Sequence, residues 1–173
     1  MAAWAALVLG CSSRPRAPAL RDDPVYQNER EGFRFLVPEG WKQHARTDAP
    51  PGKYPKDLLL VEYKHLAGGK GAMLQVSLAD LPGETDLGTF LAGPSFGVKE
   101  WKLAPGREGL EVDGVSGVRL VFTGRLARQE MTREVVAFRR GERVYFFTGL
   151  FARGDTEARD QVRRAVASTL WKS

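Results

Sequence analysis

The chain has 173 residues, of which 43% are hydrophobic and 27% charged, and its formal net charge is +5. This composition excludes a disordered chain, and the length suits a single domain. With one cysteine, an intramolecular disulfide is impossible, so the fold must rest on its hydrophobic core.

An uncharged apolar run begins the chain and ends at that cysteine. It covers residues 2–10, which is far shorter than the roughly 20 residues of a membrane-spanning helix and is typical of a secretory signal. Val8-Leu9-Gly10-Cys11 resembles the lipobox of bacterial lipoproteins, in which the cysteine is lipidated. We therefore expect residues 1–10 to be signal-like and residues 11–25 to be a lipidated cysteine followed by a disordered tether, rich in proline and charge.

The lipobox interpretation has one departure and one alternative. No Lys or Arg precedes the apolar run, which is expected if the natural start lies upstream. The alternative is a chance cysteine in a frayed N-terminus.

Four strands are predicted in the first half of the domain. In the first, Phe33, Phe35 and Val37 alternate with Arg34 and Leu36. A turn at Pro38-Glu39-Gly40 and a second strand from Trp41 to Arg46 follow it. The strand-like runs Asp57–Leu66 and Met73–Leu81 are joined by a hairpin through Gly68 and Gly69.

The next segment predicts a short helix and another strand. Thr85 or Asp86 can cap a helix that carries Leu87, Phe90 and Leu91. The strand is predicted from Val98 to Leu103 and contains Trp101.

Residues 115–151 predict an antiparallel meander of three strands, which is the centre of the fold. Asp113-Gly114 signals a two-residue hairpin before it, and Gly141-Glu142 lies in its last tight turn. Apolar residues occupy both alternating faces, so both faces should be covered, and Phe147 in the last strand should be buried.

A final helix is predicted after Asp155 or Thr156. Its apolar stripe comprises Ala158, Val162, Ala165, Val166, Thr169 and Leu170. Arg159, Arg163 and Arg164 occupy the other side and should project into solvent. The predicted fold is therefore α+β: residues 26–173 form a single α/β/α sandwich whose central, mainly antiparallel sheet has the C-terminal helix on one face and the shorter helix on the other.

Several of these stretches resemble the Mog1/PsbP-like α/β/α sandwich superfamily over roughly Tyr26 to Trp171. The matching stretches are the opening strand and Pro-x-x-Trp turn in Gly32–Trp41, the strand in Asp113–Phe122, the strand in Gly141–Thr148, and the helix end in Ser168–Trp171. Members include an accessory subunit of photosystem II, a nuclear-transport factor that binds a small GTPase, and many bacterial lipoproteins. The resemblance implies a binding or assembly module, and no catalytic residue set defines the family.

No catalytic motif or cofactor site is predicted. There is no G-x-S-x-G elbow and no glycine loop that opens a helix. His44 and His65 could meet across the sheet and bind a metal with Glu62 or Asp57, but ordinary surface histidines are the favoured interpretation. Three tryptophans are interpreted as core or seam residues and not as a ligand-binding box: Trp41, Trp101 and Trp171.

Arginines are the most suggestive polar feature. Arg139, Arg140, Arg159, Arg163 and Arg164 are candidate anion-binding residues. The alternative, which the notable number of nearby glutamates favours, is a solvated face partly neutralised by acidic neighbours.

The sequence thus favours a non-enzymatic lipoprotein of the cell envelope that acts as a binding or assembly module. We expect a monomer that is held at the membrane by its lipid, faces the periplasm or exterior, has an envelope protein as its partner, and binds neither nucleic acid nor a cofactor. The alternative function is a module that binds an anionic small molecule or polymer through an arginine-rich face.

Overall fold

The computed structural model describes residues 24–67 and 70–172, and this part of the chain forms a large antiparallel sheet, a small antiparallel sheet and two helices. The large sheet has eight strands in these ranges. Its order is β3 (Lys42–Arg46), β4 (Leu58–Ala67), β5 (Lys70–Asp80), β10 (Arg143–Ala152), β9 (Gln129–Arg140), β8 (Val115–Leu126) and β6 (Lys102–Leu103), and β7 (Glu108–Val112) also pairs with β8.

The central meander is confirmed, and its tight turns explain its register. Val112 pairs with Val115 across the first turn, where Asp113 and Gly114 have φ of 50° and 76°, the left-handed values that a type I′ hairpin requires. Arg140 pairs with Arg143 across the last turn. The predicted hairpin residues Gly68 and Gly69 lie outside the described residues.

One face of the sheet is covered by α2 (Thr156–Ala167) and by the small sheet of β1 (Val25–Asn28), β2 (Phe33–Leu36) and β11 (Leu170–Trp171). Phe147 is fully buried here, as predicted, and its ring makes edge contacts with Phe35 and Phe138. Helix α2 approaches closely at Gly149, where an added Cβ would lie 2.8 Å from Val162 Cγ1.

The opposite face is covered by α1 (Leu87–Leu91) and by the irregular chain that follows it. The Asp86 carboxylate caps α1 by accepting the Thr89 N–H at 3.1 Å, and Phe90 stacks on Phe146 of β10. Because α1 has only five residues, most of the layer on this face is loop. The α+β sandwich with a helix on each face is nevertheless confirmed.

The strand predicted from Val98 to Leu103 is wrong for all but its last two residues. Val98 forms only an isolated bridge with Ser95, and Trp101 lies outside any strand. The cause is packing, because the buried Trp101 ring turns inward against Gly124, where an added Cβ would lie 2.8 Å from it. An extended backbone here would have to give up that contact.

The end of the last helix is a second correction. Helix α2 stops at Ala167, and Leu170, predicted on its buried stripe, is 44% exposed in β11. Strand β2 has unpaired backbone groups on that side, and pairing Leu170 with Arg34 and Trp171 with Phe33 satisfies them. This gain outweighs one more helical turn. Strand β1, which pairs with the other side of β2, was not predicted.

Candidate functional site

A buried carboxylate on β9, Glu134, is the most heavily paired charge among the described residues. It is 2% exposed and faces α2. Arg159 Nε donates to Glu134 Oε2 at 2.8 Å, and Arg163 Nε donates to Oε1 at 2.7 Å. Arg119 on β8 adds an ion pair at 3.2 Å. We call these four residues the Glu134 cluster.

The Glu134 cluster changes the interpretation of the last helix. Arg159 and Arg163 lie four residues apart and project together, as predicted, but they turn onto the sheet instead of into solvent. Burial raises the pKa of Glu134, but the hydrogen bonds from Arg163 and Arg159 outweigh it, and the net pKa is lowered. The carboxylate therefore stays charged and holds α2 on the sheet.

The other three candidate arginines lie in different settings. Arg139 donates to the Leu81 carbonyl at 2.7 Å, whereas Arg140 donates to the Lys172 carbonyl at 3.0 Å and lies over the Trp171 ring. Arg164 is exposed and lines a shallow cavity beside the turn after β2. Their role in anion binding stays a prediction, but four of the five have internal partners.

A second buried network joins the turn after β1 to the large sheet. Arg143 forms two hydrogen bonds with the Asp80 carboxylate, at 2.9 and 3.1 Å, and two with Glu31, at 3.0 and 3.2 Å. The Tyr145 hydroxyl also donates to Glu31 at 3.0 Å. The hydrogen bonds from Arg143 lower the pKa of Asp80, and burial together with the Glu31 charge raises the pKa of Tyr145. These hydrogen bonds hold the turn after β1, and with it the small sheet, against the large sheet.

A large concave surface lies where the loop before β6 meets the turn between β8 and β9. This groove has a volume of about 620 Å³ and is lined by Gly97, Lys99, Glu100, Lys102, Thr123, Gly124, Arg125, Ala127, Glu130, Met131 and Arg153. Four of these residues are basic and two are acidic, and Arg153 Nη1 pairs with Glu130 at 2.7 Å. We call it the basic groove.

The sequence did not reveal the basic groove. Lys99 and Lys102 lie more than 20 positions before Arg125 in the chain, and they meet only because β6 pairs with β8, placing Lys102 opposite Thr123. A signal was available in the run Lys99-Glu100-Trp101-Lys102, in which a buried aromatic residue forces its charged neighbours outward.

The two histidines are not gathered with other ligands. His65 stacks on the buried Trp41 ring, and His44 lies 4.0 Å from Glu62, which also pairs with Lys64. Within residues 24–67 and 70–172, no group of three or more His, Cys, Asp or Glu side chains is arranged to hold a metal.

The three tryptophans considered above occupy core or seam positions, as predicted. Trp41 and Trp101 are buried, and Trp171 packs, partly buried, on Phe33 and Phe138.

Cys11 and the signal-like run lie outside the described residues. In the described part of the chain, no helix combines the length and the apolar character needed to span a bilayer.

Comparison with known proteins gives matches in structure only. No family model matches the sequence, and no curated protein matches it. The solution structure of cyanobacterial PsbP (CyanoP) from Synechocystis sp. PCC 6803 matches with a TM-score of 0.61 and 16% identity, over 90% of this chain and 97% of that one. PA94 from Pseudomonas aeruginosa, a suggested regulator of unknown function, matches with a TM-score of 0.55 and 14% identity, over 77% of this chain and 98% of that one. At these identities the likeness concerns the fold, and the chain has the PsbP/Mog1-like fold.

Proposed function

We propose that the protein is a non-enzymatic binding or assembly module of the cell envelope, held at the membrane by a lipid on Cys11. The observation that favours a non-enzymatic role is that the buried carboxylates of the described residues, Glu31 and Glu134, are already paired. Glu134 is held by three arginines, and Glu31 by Arg143 and Tyr145. Carboxylates committed to such pairs hold structural elements together and are poorly placed to exchange protons with a substrate.

The spacing between the cysteine and the domain suits a tether. Strand β1 begins at Val25, so residues 12–24 separate Cys11 from the fold. Fully extended, such a segment spans roughly 45 Å. This reach lets the domain meet a partner well above the headgroups.

The anchor is tested by Cys11→Ser in the native host. We expect the variant to lose its acyl mass and to leave the membrane fraction, because two or more acyl chains hold a protein firmly at a membrane. No helix of the described residues is long and apolar enough to span one in their place. Intact-mass measurement and fractionation read the two outcomes separately. A variant that stays in the membrane without acyl chains contradicts the anchor.

The binding role is tested by cross-linking the full-length protein in cells and isolating it. One stoichiometric envelope protein is expected. The matched control is the Cys11→Ser chain. It should not be isolated with the partner if the two proteins bind only when both are at the membrane. Recovery of no protein above the level seen with an unrelated lipoprotein contradicts the binding role.

The basic groove favours a second candidate function, binding of an anionic small molecule or polymer. Lys99, Lys102 and Arg125 are exposed there, so they can contact an anion without first breaking an ion pair, whereas Arg159 and Arg163 cannot. The anion-binding surface of this candidate therefore lies away from the last helix.

A charge-matched pair of variants tests the groove. Lys99, Lys102 and Arg125 are replaced by Gln in one protein, and the exposed Arg30, Arg34 and Lys42, which lie outside the groove, are replaced by Gln in the other. Retention on dextran sulfate and on phosphatidylglycerol vesicles is measured at low and moderate salt. A loss confined to the groove variant supports the candidate. Equal losses indicate only general attraction by net charge.

A further inference from the structure

Arg133 is a buried arginine on the opposite face of β9 from Glu134. It is 6% exposed. Its Nη1 donates to the Leu91 carbonyl at 2.7 Å and to Ser95 Oγ at 3.2 Å. The guanidinium also lies over the rings of Phe96, Phe122 and Trp101, at 5.2 to 5.9 Å from their centroids.

No carboxylate of the described residues lies within ion-pairing distance of this guanidinium. The two acceptors are neutral, and Arg133 Nε is buried without a hydrogen-bond partner. Burial lowers the pKa of Arg133 to about 10. An arginine that is removed from water usually has an anion beside it, since the cost of burying an unpaired charge is high. The acidic charge that acts on Arg133 is that of Asp57, which lies beyond ion-pairing distance of the guanidinium.

A cavity of about 230 Å³ opens beside Arg133. Its apolar wall is formed by Phe90, Leu91 and Pro94, and Ser95 and Arg133 supply polar groups. Gly93, Lys56 and Asp57 complete the lining, and the last two are exposed and carry opposite charges. The formal charge around the cavity is therefore that of Arg133 alone.

The loop over the guanidinium is held in an unusual backbone conformation. Phe96 has a φ of 56°, in the left-handed region that bulky residues rarely adopt. Ser95 Oγ is fixed in turn, because it accepts the Trp101 Nε1 hydrogen at 2.9 Å. Strain of this kind persists only where the surroundings hold it, and it occurs often at ligand sites.

We propose that this cavity binds a small organic monocarboxylate, with Arg133 as its cation. A carboxylate matches the single positive charge and the planar donors of the guanidinium. The wall of Phe90, Leu91 and Pro94 suits a short apolar or aromatic tail. Phosphate fits less well, because about half of it is dianionic near neutral pH and its second charge exceeds the single net positive charge around the cavity.

Benzoate is a suitable probe, and benzamide is its neutral control. The full-length protein is titrated with each while the Arg133 Nε–H and the Ser95 backbone N–H signals are followed by NMR. We expect saturable shifts with benzoate in the millimolar range and at least about tenfold weaker binding of benzamide, as loss of a charged hydrogen bond implies. Equal binding of the two, or no saturation with benzoate, overturns the proposal.

Two variants separate the site from general electrostatics. Asp57→Asn removes the exposed negative charge without touching the core, and it should tighten benzoate binding by about two- to fivefold. Arg133→Met should weaken it by about tenfold or more, and Lys102→Gln in the basic groove should leave it unchanged. Unchanged affinity in Asp57→Asn, or an equal loss in Lys102→Gln, overturns the proposal even if Arg133→Met does not fold.

Discussion

Arg133 and Glu134 are neighbours on β9, yet the two faces of the sheet treat their charges differently. On the α2 face, Glu134 has three arginines around it. On the α1 face, Arg133 has a carbonyl, a hydroxyl and three aromatic rings. One buried charge is closed off by opposite charges, and the other is left facing a cavity. Burial alone therefore does not make a charged residue structural. Its partners decide whether the charge stabilises the fold or remains available to a ligand.

Removal of the Glu134 charge should give the largest loss of stability. In Glu134→Gln, Arg159 and Arg163 lose their counter-charge, and Arg119 keeps only its pair with Glu108. We expect a loss of about 2 to 4 kcal/mol, below the full cost of a broken buried pair because Arg159 and Arg163 are partly exposed. Urea unfolding measures the loss. Glu130→Gln, which removes the exposed partner of Arg153, is the control and should change stability by less than about 1 kcal/mol. Equal losses would show that the Glu134 cluster has no special role.

Acid should remove much of the same contribution. The pKa of Glu134 is lowered in the folded protein from the ordinary value of 4.5. Its contribution is therefore present above pH 4.5 and is lost as the pH falls through the folded pKa. We expect the difference in unfolding free energy between the native protein and Glu134→Gln to be largest near neutral pH and to shrink in acid. A difference that is constant or grows in acid contradicts this assignment.

The arginines of α2 should divide into two kinds. Arg159→Gln together with Arg163→Gln should cost about 1 to 2 kcal/mol, because both side chains hold Glu134. Arg164→Gln removes an exposed charge and should cost less than about 0.5 kcal/mol. Thermal unfolding of the two proteins measures the split. Equal effects on stability would mean that all three arginines lie on a solvated face, as the sequence predicted.

Arg133→Met should have a much smaller effect on stability than Glu134→Gln. Methionine gives up two hydrogen bonds, but it removes an unpaired buried charge and keeps contact with the aromatic rings, so we expect a change within about 1 kcal/mol in either direction. The unfolding free energy in urea tests this against Glu134→Gln. A loss as large as that of Glu134→Gln would mean that Arg133 is as structural as its neighbour.

Local signals explain which parts of the fold could be predicted. The turns at Asp113-Gly114 and Gly141-Glu142, and the long apolar strands between them, carry their information within a few residues. Strand β11 has only two residues and exists because β2, far away in the chain, lacks a partner on that side. No local pattern announces such a strand, whereas helical spacing of apolar residues continued through Leu170 and misled the helix boundary.

The Glu134 cluster was partly readable from the sequence. Glu134 alternates with Arg133 inside the apolar strand Met131–Phe138, so both charges had to point into covered faces. Arg159 and Arg163, one turn apart on the helix that covers one face, were the available partners. Which face each charge took depended on the packing of α2 over Gly149, and that is a tertiary fact.

The pairing of β11 with β2 makes an early strand of the fold depend on residues that are far later in the chain. The N-terminal part of a chain leaves the ribosome first. Strand β2 is therefore synthesised long before Leu170 and Trp171 are available to pair with its second edge. A chain truncated before Leu170 leaves β2 with an open edge and takes the Trp171 ring away from Phe33, which lies 5.4 Å from it. Prematurely terminated products would therefore expose unpaired backbone groups on β2 and aromatic side chains of the core. Quality-control proteases recognise such features.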